Sequence, residues 1–377
     1  MSRRYVVWGL LALVLTALAG FGGWMLSLPA PVTIAAQPVP QAEMDAIIER
    51  LGPPKRQRPI IAIVGINEAT EITDYLMPAG ILRRADIADV SLLSTGAGPV
   101  KLYPALTVEP DATIAEFDAR TPEGADYVVV PQMSRDDDPV VLAWLRDQAK
   151  KGATIIGICA GARIVGAAGL LDNKRATTHW FYVTELREEH PSMTYVPDRR
   201  VVADQGVVTT TGITASMPVT LMLIEAIAGR EKAQAVAADL GLSVWNASHA
   251  SSRFKLTRPF ASTVAGNVLA FWNYERFGFE LQPGMDEVSM ALVLDAWSRT
   301  YKSDTISFAA SRGPVETRNG VRVIPDEIAA DRPQENRLPT SIGRKPASAL
   351  DQALKDIVAR YGEPTADVVA MQLEYSR

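Results

Sequence analysis

"ATIIGICAGARIVGAAGLLDNKRATTHW" spans residues 153–180 and holds the only cysteine of the chain, Cys159. A β-branched apolar run, Thr154–Ile158, passes without a loop into Ala- and Gly-rich sequence of helical character. That junction reads as a buried strand turning sharply into a helix, with Cys159 at the corner. Gly161 follows, where the backbone must pack closely or take an unusual angle. A side chain at such a corner projects at the carboxyl edge of a parallel sheet, where open α/β folds place their ligands. Helix N-terminal amides favour thiolate over thiol, so the corner suits a reactive sulfur. On position alone it suits a small, inert core cysteine equally well.

Upstream, "IIAIVG" (60–65), "DVSLLS" (89–94) and "DYVVVP" (126–131) are further short β-branched runs, and "QGVVTTTG" (205–212) is one downstream. Runs of this kind fit strands buried on both faces. Helical stretches separate the later ones, notably "DPVVLAWLRDQAKKG" (138–152), with an acidic start, a basic end and a closing Gly. The expected fold class is α/β, a parallel sheet sandwiched by helices.

Composition narrows the function. The 377 residues are 47% hydrophobic, ample for a core, and carry a formal net charge of −5 with no dense Lys/Arg stripe, so no nucleic-acid surface is expected. A single Cys excludes an intramolecular disulfide framework and a Cys-rich zinc site. His179, His190 and His249 are far apart in sequence; neither metal nor cofactor is expected.

The N-terminus adds a membrane partner. Arg3 and Arg4 precede Tyr5–Leu28, which has no charged residue and is long enough to span a bilayer. Basic residues stay cytoplasmic, which places the bulk of the chain on the periplasmic or extracellular side of an inner (cytoplasmic) membrane. The competing reading is a cleaved signal peptide with Ala17-Leu18-Ala19 as its cleavage motif; apolarity continues past that point, which favours a retained anchor. Residues 29–58, Pro-rich around the amphipathic segment Met44–Leu51, read as a tether.

"GICAGARIVGAAGLLDNKRATTHW" resembles the nucleophile elbow of the ThiJ/PfpI family, within the class I glutamine-amidotransferase-like superfamily. The "ICAG" turn, the "AGLLD" helix end and "ATTH" twenty residues after the Cys carry the likeness. It extends through "EITDYLMPAGILRRADIADVSLL", "PDATI" and "VVTTTGITASMPVTLMLIEAIAG", about residues 59–235. The branch most similar in flavour holds isocyanide hydratase and the ligand domains of AraC-type regulators. The resemblance implies a flavodoxin-like sheet and a small-molecule substrate or ligand, and it allows a homodimer. It maps the nucleophile onto Cys159, the proton-carrying carboxyl onto Asp74 with Glu71 as fallback, and the family's site histidine onto His179; a helix N-cap is the alternative for Asp74, and a satisfied structural histidine reads equally well for His179.

Departures from the family pattern matter. Where the family often has Gly-Gly after the strand matching "DYVVVP", this chain reads "PQMS", leaving backbone amides of Gln132 or Met133 for an oxyanion hole. Ala160 follows the Cys, where the protease-like branch has His and the hydratase branch Thr, so peptidase activity is disfavoured.

In residues 236–377, "EVSMALVLDAWSRTYKSDTISFAASRGPVETRNGVRVIPD" (287–326) echoes "EITDYLMPAGILRRADIADVSLLSTGAGPVKLYPALTVEPD" (71–111), with Met290 aligned to Asp74 and no second Cys. That region reads as a partial, chemically empty repeat of the first half-domain. Residues 327–347 read as a polar linker, and the end as two short helices. Two functions follow: an enzyme using Cys159 as nucleophile with hydrolase- or lyase-type chemistry, or a noncatalytic ligand- or redox-sensing module.

Overall fold

The structure is a computed structural model describing residues 3–329, 333–339 and 343–376. Its centre is a seven-stranded sheet of β1 (Ile60–Gly65), β2 (Asp89–Ser94), β3 (Ala112–Thr113), β4 (Tyr127–Val130), β5 (Thr154–Gly157), β6 (Val201–Asp204) and β7 (Val207–Thr210). The spatial order is β6-β7-β5-β4-β1-β2-β3. All neighbours run parallel except the β6–β7 pair. Every strand read from sequence lies within this sheet; β6 is the long strand the pattern did not single out. β4 is buried along its whole length, as a parallel strand covered on both faces must be.

Helices cover both faces. On one side lie α4 (Ile114–Arg120), α5 (Pro139–Lys150) and α6 (Gly161–Ala167), whose apolar side chains join one core. On the other lie α3 (Ile72–Ala85) and α7 (Ser216–Ala228). Every residue of α3 except Arg83 and Arg84 is buried, because it is enclosed a second time by α8 (Glu287–Ser298). That helix belongs to a smaller parallel sheet, β8 (Glu275–Glu280), β9 (Ser303–Ala309) and β10 (Glu327–Ile328).

The segment read as a tether differs from that expectation. Residues 41–51 form α2 (Gln41–Leu51), with Ile47 and Leu51 buried in the main core. The Tyr127 hydroxyl donates to Leu51 O at 2.6 Å, and Glu43 pairs with Arg199 at 2.7 Å. Its apolar stripe is a docking face. Ahead of it, α1 (Arg3–Ser27) is long and apolar enough to cross a membrane. Of the 327–347 linker, residues 330–332 and 340–342 lie outside the described residues, while Leu338 is buried. The chain ends in α9 (Pro346–Tyr361) and α10 (Glu363–Gln372), the two short helices read from sequence.

Candidate functional site

The strand-to-helix corner is built as its sequence requires. Cys159 has φ 56°, a left-handed conformation that costs a non-glycine residue about 1–3 kcal/mol and persists only where its surroundings hold it. They do: Cys159 N–H donates to Thr210 Oγ1 at 3.1 Å, and the Thr178 hydroxyl donates to Cys159 O at 3.0 Å. A Cβ on Gly161 would stand 2.0 Å from Val130 O, so only glycine lets the corner close on the end of β4.

Asp74 lies in the first turn of α3 and is not its cap. Glu71 caps the helix: its Oε2 accepts from Asp74 N–H and from the Thr73 hydroxyl, each at 2.7 Å. Asp74 Oδ2 accepts from Gln132 N–H at 3.1 Å, whereas buried Oδ1 has no partner among the described residues. Burial first, and then the Glu71 charge, hold the Asp74 carboxyl well above its ordinary range. Glu71 is pushed up to about 7 by burial and then by Asp295, against Arg299 and its helix-capping bonds. Burial thus favours the protonated form of Asp74. With Oδ2 committed as an acceptor, its proton belongs on Oδ1.

The surroundings of Cys159 oppose the thiol activation expected from helix amides. Cys159 is 1% exposed, and burial pushes its thiol well above the ordinary range, with any negative charge on Asp74, Glu71 or Glu374 adding to the shift. The Ala160 amide opposes that shift and loses to it. Among the described residues, the side chain that the sulfur meets is Gln132, with Oε1 at 3.8 Å.

Gln132 also revises the oxyanion reading. Its N–H is spent on Asp74, and its carbonyl accepts from Glu71 N–H at 2.8 Å. Ser134 N–H donates to Ala69 O at 2.9 Å, pinning residues 132–134 along 69–71. The Gln132 amide is thus no free oxyanion donor.

His179 does not face the sulfur through a hydrogen bond. Its Nε2 bonds Gln372 O at 2.9 Å and its Nδ1 accepts from Phe181 N–H at 3.3 Å, which puts the proton on Nε2. Burial lowers its pKa to about 4, so the ring is neutral. The ring bolts down the C-terminal tail. Trp180 Nε1–H donates to Met371 O at 2.9 Å, Trp180 N–H to Glu374 Oε1 at 2.5 Å, and the Thr214 hydroxyl to Glu374 O at 2.8 Å. Glu374 is buried, raised to about 7 by that burial, and borders a cavity of about 230 Å³ with Thr178, Trp180, Tyr195 and His249. Cys159 is not among the residues lining that cavity.

Sequence reasoning brought Cys159 and Asp74 to one place, with Glu71 as a neighbour, and missed the distant contributors. Arg299 Nη2 bonds Glu71 Oε1 at 3.1 Å, and its Nε bonds Asp295 Oδ1 at 2.6 Å. The C-terminal region, read as chemically separate, therefore reaches the site twice, through Arg299 and through the tail. For metals, Asp136, Glu185 and Glu189 bring carboxylate oxygens within 4.8 Å of one another among the described residues. Arg163 bridges the first two at 2.6 and 2.5 Å, so their charge is already answered by a cation.

Comparison with known proteins gives a consistent picture. The DJ-1/PfpI family profile matches residues 61–226. Isonitrile hydratase of Pseudomonas putida is 33% identical over 168 residues, 43% of this chain and 70% of that protein. The HTH-type transcriptional regulator CdhR of Pseudomonas aeruginosa is 29% identical over 170 residues, 44% of this chain and 47% of the regulator. The crystal structure of Drosophila melanogaster DJ-1beta, 24% identical, is covered completely by 50% of this chain with a TM-score of 0.45.

Proposed function

Since the chain belongs to the DJ-1/PfpI family, we propose that it acts on a small electrophilic molecule through Cys159, with Asp74 as the proton carrier. The observation that carries this reading is that Gln132 links the two buried groups, its N–H donating to Asp74 Oδ2 and its Oε1 facing the Cys159 sulfur at 3.8 Å, while burial favours the protonated form of both. In the reacting step the sulfur forms a bond to an electrophilic carbon and the π pair of that carbon moves to the attached heteroatom. Asp74 gives its Oδ1 proton to the developing anion and recovers one from the thiol, so charge and protons balance. In a hydrolytic cycle, water then displaces the sulfur and regenerates the thiol. Members of the family include isonitrile hydratase and a glutathione-independent glyoxalase, which makes isonitriles and 2-oxoaldehydes the first candidates.

The closed thiol and the committed Gln132 amide favour a second reading. In it the same pocket senses a ligand or oxidant without turnover, as suits a relative of transcriptional regulators. One experiment separates the two. The full chain in detergent is offered isonitriles and 2-oxoaldehydes, and product and intact mass are followed for the wild type, Cys159→Ala and Asp74→Asn. The enzyme reading expects turnover abolished in the first variant and reduced about 10²–10⁴-fold in the second, with the fold intact. A saturable adduct or ligand-dependent melting shift without turnover selects the sensor. No response to either class refutes the substrate assignment.

The same reading holds the domain at an inner membrane by α1, with the bulk of the chain outside the cytoplasm. Support comes from a 25-residue apolar helix whose middle is exposed. After fractionation the protein should resist salt and yield to detergent. A soluble form beginning near Gly20 would establish a cleaved signal instead.

A further inference from the structure

Two sets of residues 215 positions apart make the same contacts. Glu71 caps α3 by accepting from Asp74 N–H, and Asp286 caps α8 by accepting from Ser289 N–H at 2.9 Å. Leu92 N–H donates to Asp111 Oδ2, and Ser307 N–H to Asp326 Oδ2. Val100 pairs with Val108, and Val315 with Val323; Leu93 pairs with Ala112, and Phe308 with Glu327. These caps put Ser289 opposite Asp74, one residue from the Met290 alignment read in sequence; neither residue is a carboxylic acid.

The two sets also meet about a local two-fold axis. Val108 lies opposite Val323, its own counterpart, with Glu109 opposite Arg322 and Thr107 opposite Ile324. Arg84 pairs with Asp286, and its counterpart Arg299 pairs with Glu71. Each position contacts the counterpart of the position that contacts it, which is the reciprocity of an isologous dimer interface.

The two ends of that axis differ. Around Arg84 stand Asp286 and the half-exposed Asp239. Around Arg299 stand Glu71 and Asp295, both buried, with Asp74 and Cys159 beyond Glu71 and the Tyr103 ring 5.9 Å from the guanidinium. Asp295 occupies the counterpart position of Gly80, a glycine because Glu287 Oε1 would stand 2.3 Å from its Cβ. One cation faces three buried carboxyls, so protons must remain. Arg299 touches Glu71 and Asp295 and leaves Asp74 untouched.

We infer that residues 275–328 are a built-in second half of a two-fold interface, and that through it Arg299 is the positioning residue that assigns the resident proton to Asp74. This rests on the reading of Asp74 as proton carrier. It also means that the α3 face is already filled by the chain itself, so a homodimer of two full chains cannot use it.

The test uses the full chain in detergent and two readouts. Infrared titration of the buried carboxyls, with the Glu71 band assigned by Glu71→Gln, reads the proton directly. The pH profile of Cys159 alkylation reads the site's chemistry. Arg299→Gln should move the Glu71 midpoint up by at least about one pH unit, and Arg299→Lys should recover much of the shift. Asp295→Asn, which keeps the side-chain shape, should move it down. Arg84→Gln, at the symmetric end of the same interface, should lower the melting temperature and leave the midpoint in place. An unmoved midpoint in Arg299→Gln, or an equal shift in Arg84→Gln, overturns the inference. Should Arg299→Gln not fold, the downward shift in Asp295→Asn decides, and its absence overturns the inference equally. If the midpoint moves as stated while Cys159 stays unreactive at every pH, the positioning role stands and the nucleophile reading fails.

Discussion

Removing the last five residues, 373–377, should open the site. Leu373 is fully buried, which is worth about 1.5–3 kcal/mol for its side chain. The tail also makes three hydrogen bonds to Trp180 and Thr214, each contributing about 0.5–1.5 kcal/mol net. Together these hold the tail down by about 3–7 kcal/mol, an opening equilibrium of roughly one in 10² to one in 10⁵. If Cys159 is reached only when the tail lifts, iodoacetamide should label the intact chain slower than a free thiol by that factor. The truncated chain should recover most of it, as read by intact mass against time. A melting curve checks that the truncated protein is still folded. Thr214→Val keeps the whole chain and removes one bond to the tail, so it should speed labelling roughly two- to tenfold. Equal labelling rates in the wild type, the truncation and Thr214→Val would refute the tail as the gate.

Glu374 gives that gate a pH dependence. Its carboxyl is raised from 4.5 to about 7 in the fold, so the stability it lends is complete below about pH 4.5 and lost as pH rises through about 7, by about 3 kcal/mol at most. Labelling, corrected for thiolate fraction, should therefore accelerate between about pH 5 and pH 8, and Glu374→Gln should flatten the rise; a profile unchanged in that variant removes Glu374 from the gate. Gly161→Ala places a methyl carbon 2.0 Å from Val130 O and should destabilise by about 3 kcal/mol or more, seen in a denaturant melt. A loss under about 1 kcal/mol would mean the corner has room to move. Leu51→Ala should cost about 2–5 kcal/mol, because α2 is part of the core; a neutral result would restore the tether.

The strands were legible because a parallel strand covered on both faces has no polar side, so its sequence is a plain β-branched run bounded by Gly and charge. Cys159 was legible because strand, turn and helix are contiguous there. Asp74 was reached through the family resemblance. Local sequence leaves Glu71 and Asp74 as rivals, and only the hydrogen bonds show that Glu71 caps the helix while Asp74 faces Gln132. His179 read equally as a site residue and as a satisfied structural histidine, and its bond to Gln372 O, 193 residues away, fits the second.

By itself, the sequence determined what short-range chemistry determines: the parallel strands of the central sheet in chain order, the Gly-backed corner that carries Cys159, and an apolar N-terminal helix of spanning length. Tertiary structure decided the state of the site. Whether the thiol is activated depends on its surroundings, and here burial outweighs the Ala160 amide. Whether Gln132 offers an oxyanion amide depends on the partner its N–H finds, and it finds Asp74. Arg299 acquires its place because the helix Glu287–Ser298 packs on α3, bringing a cation beside Glu71 from 228 residues away. Protonation and accessibility are set by charges and surfaces summed over everything nearby in space. A sequence orders its residues along the chain and leaves those distant neighbours to the fold.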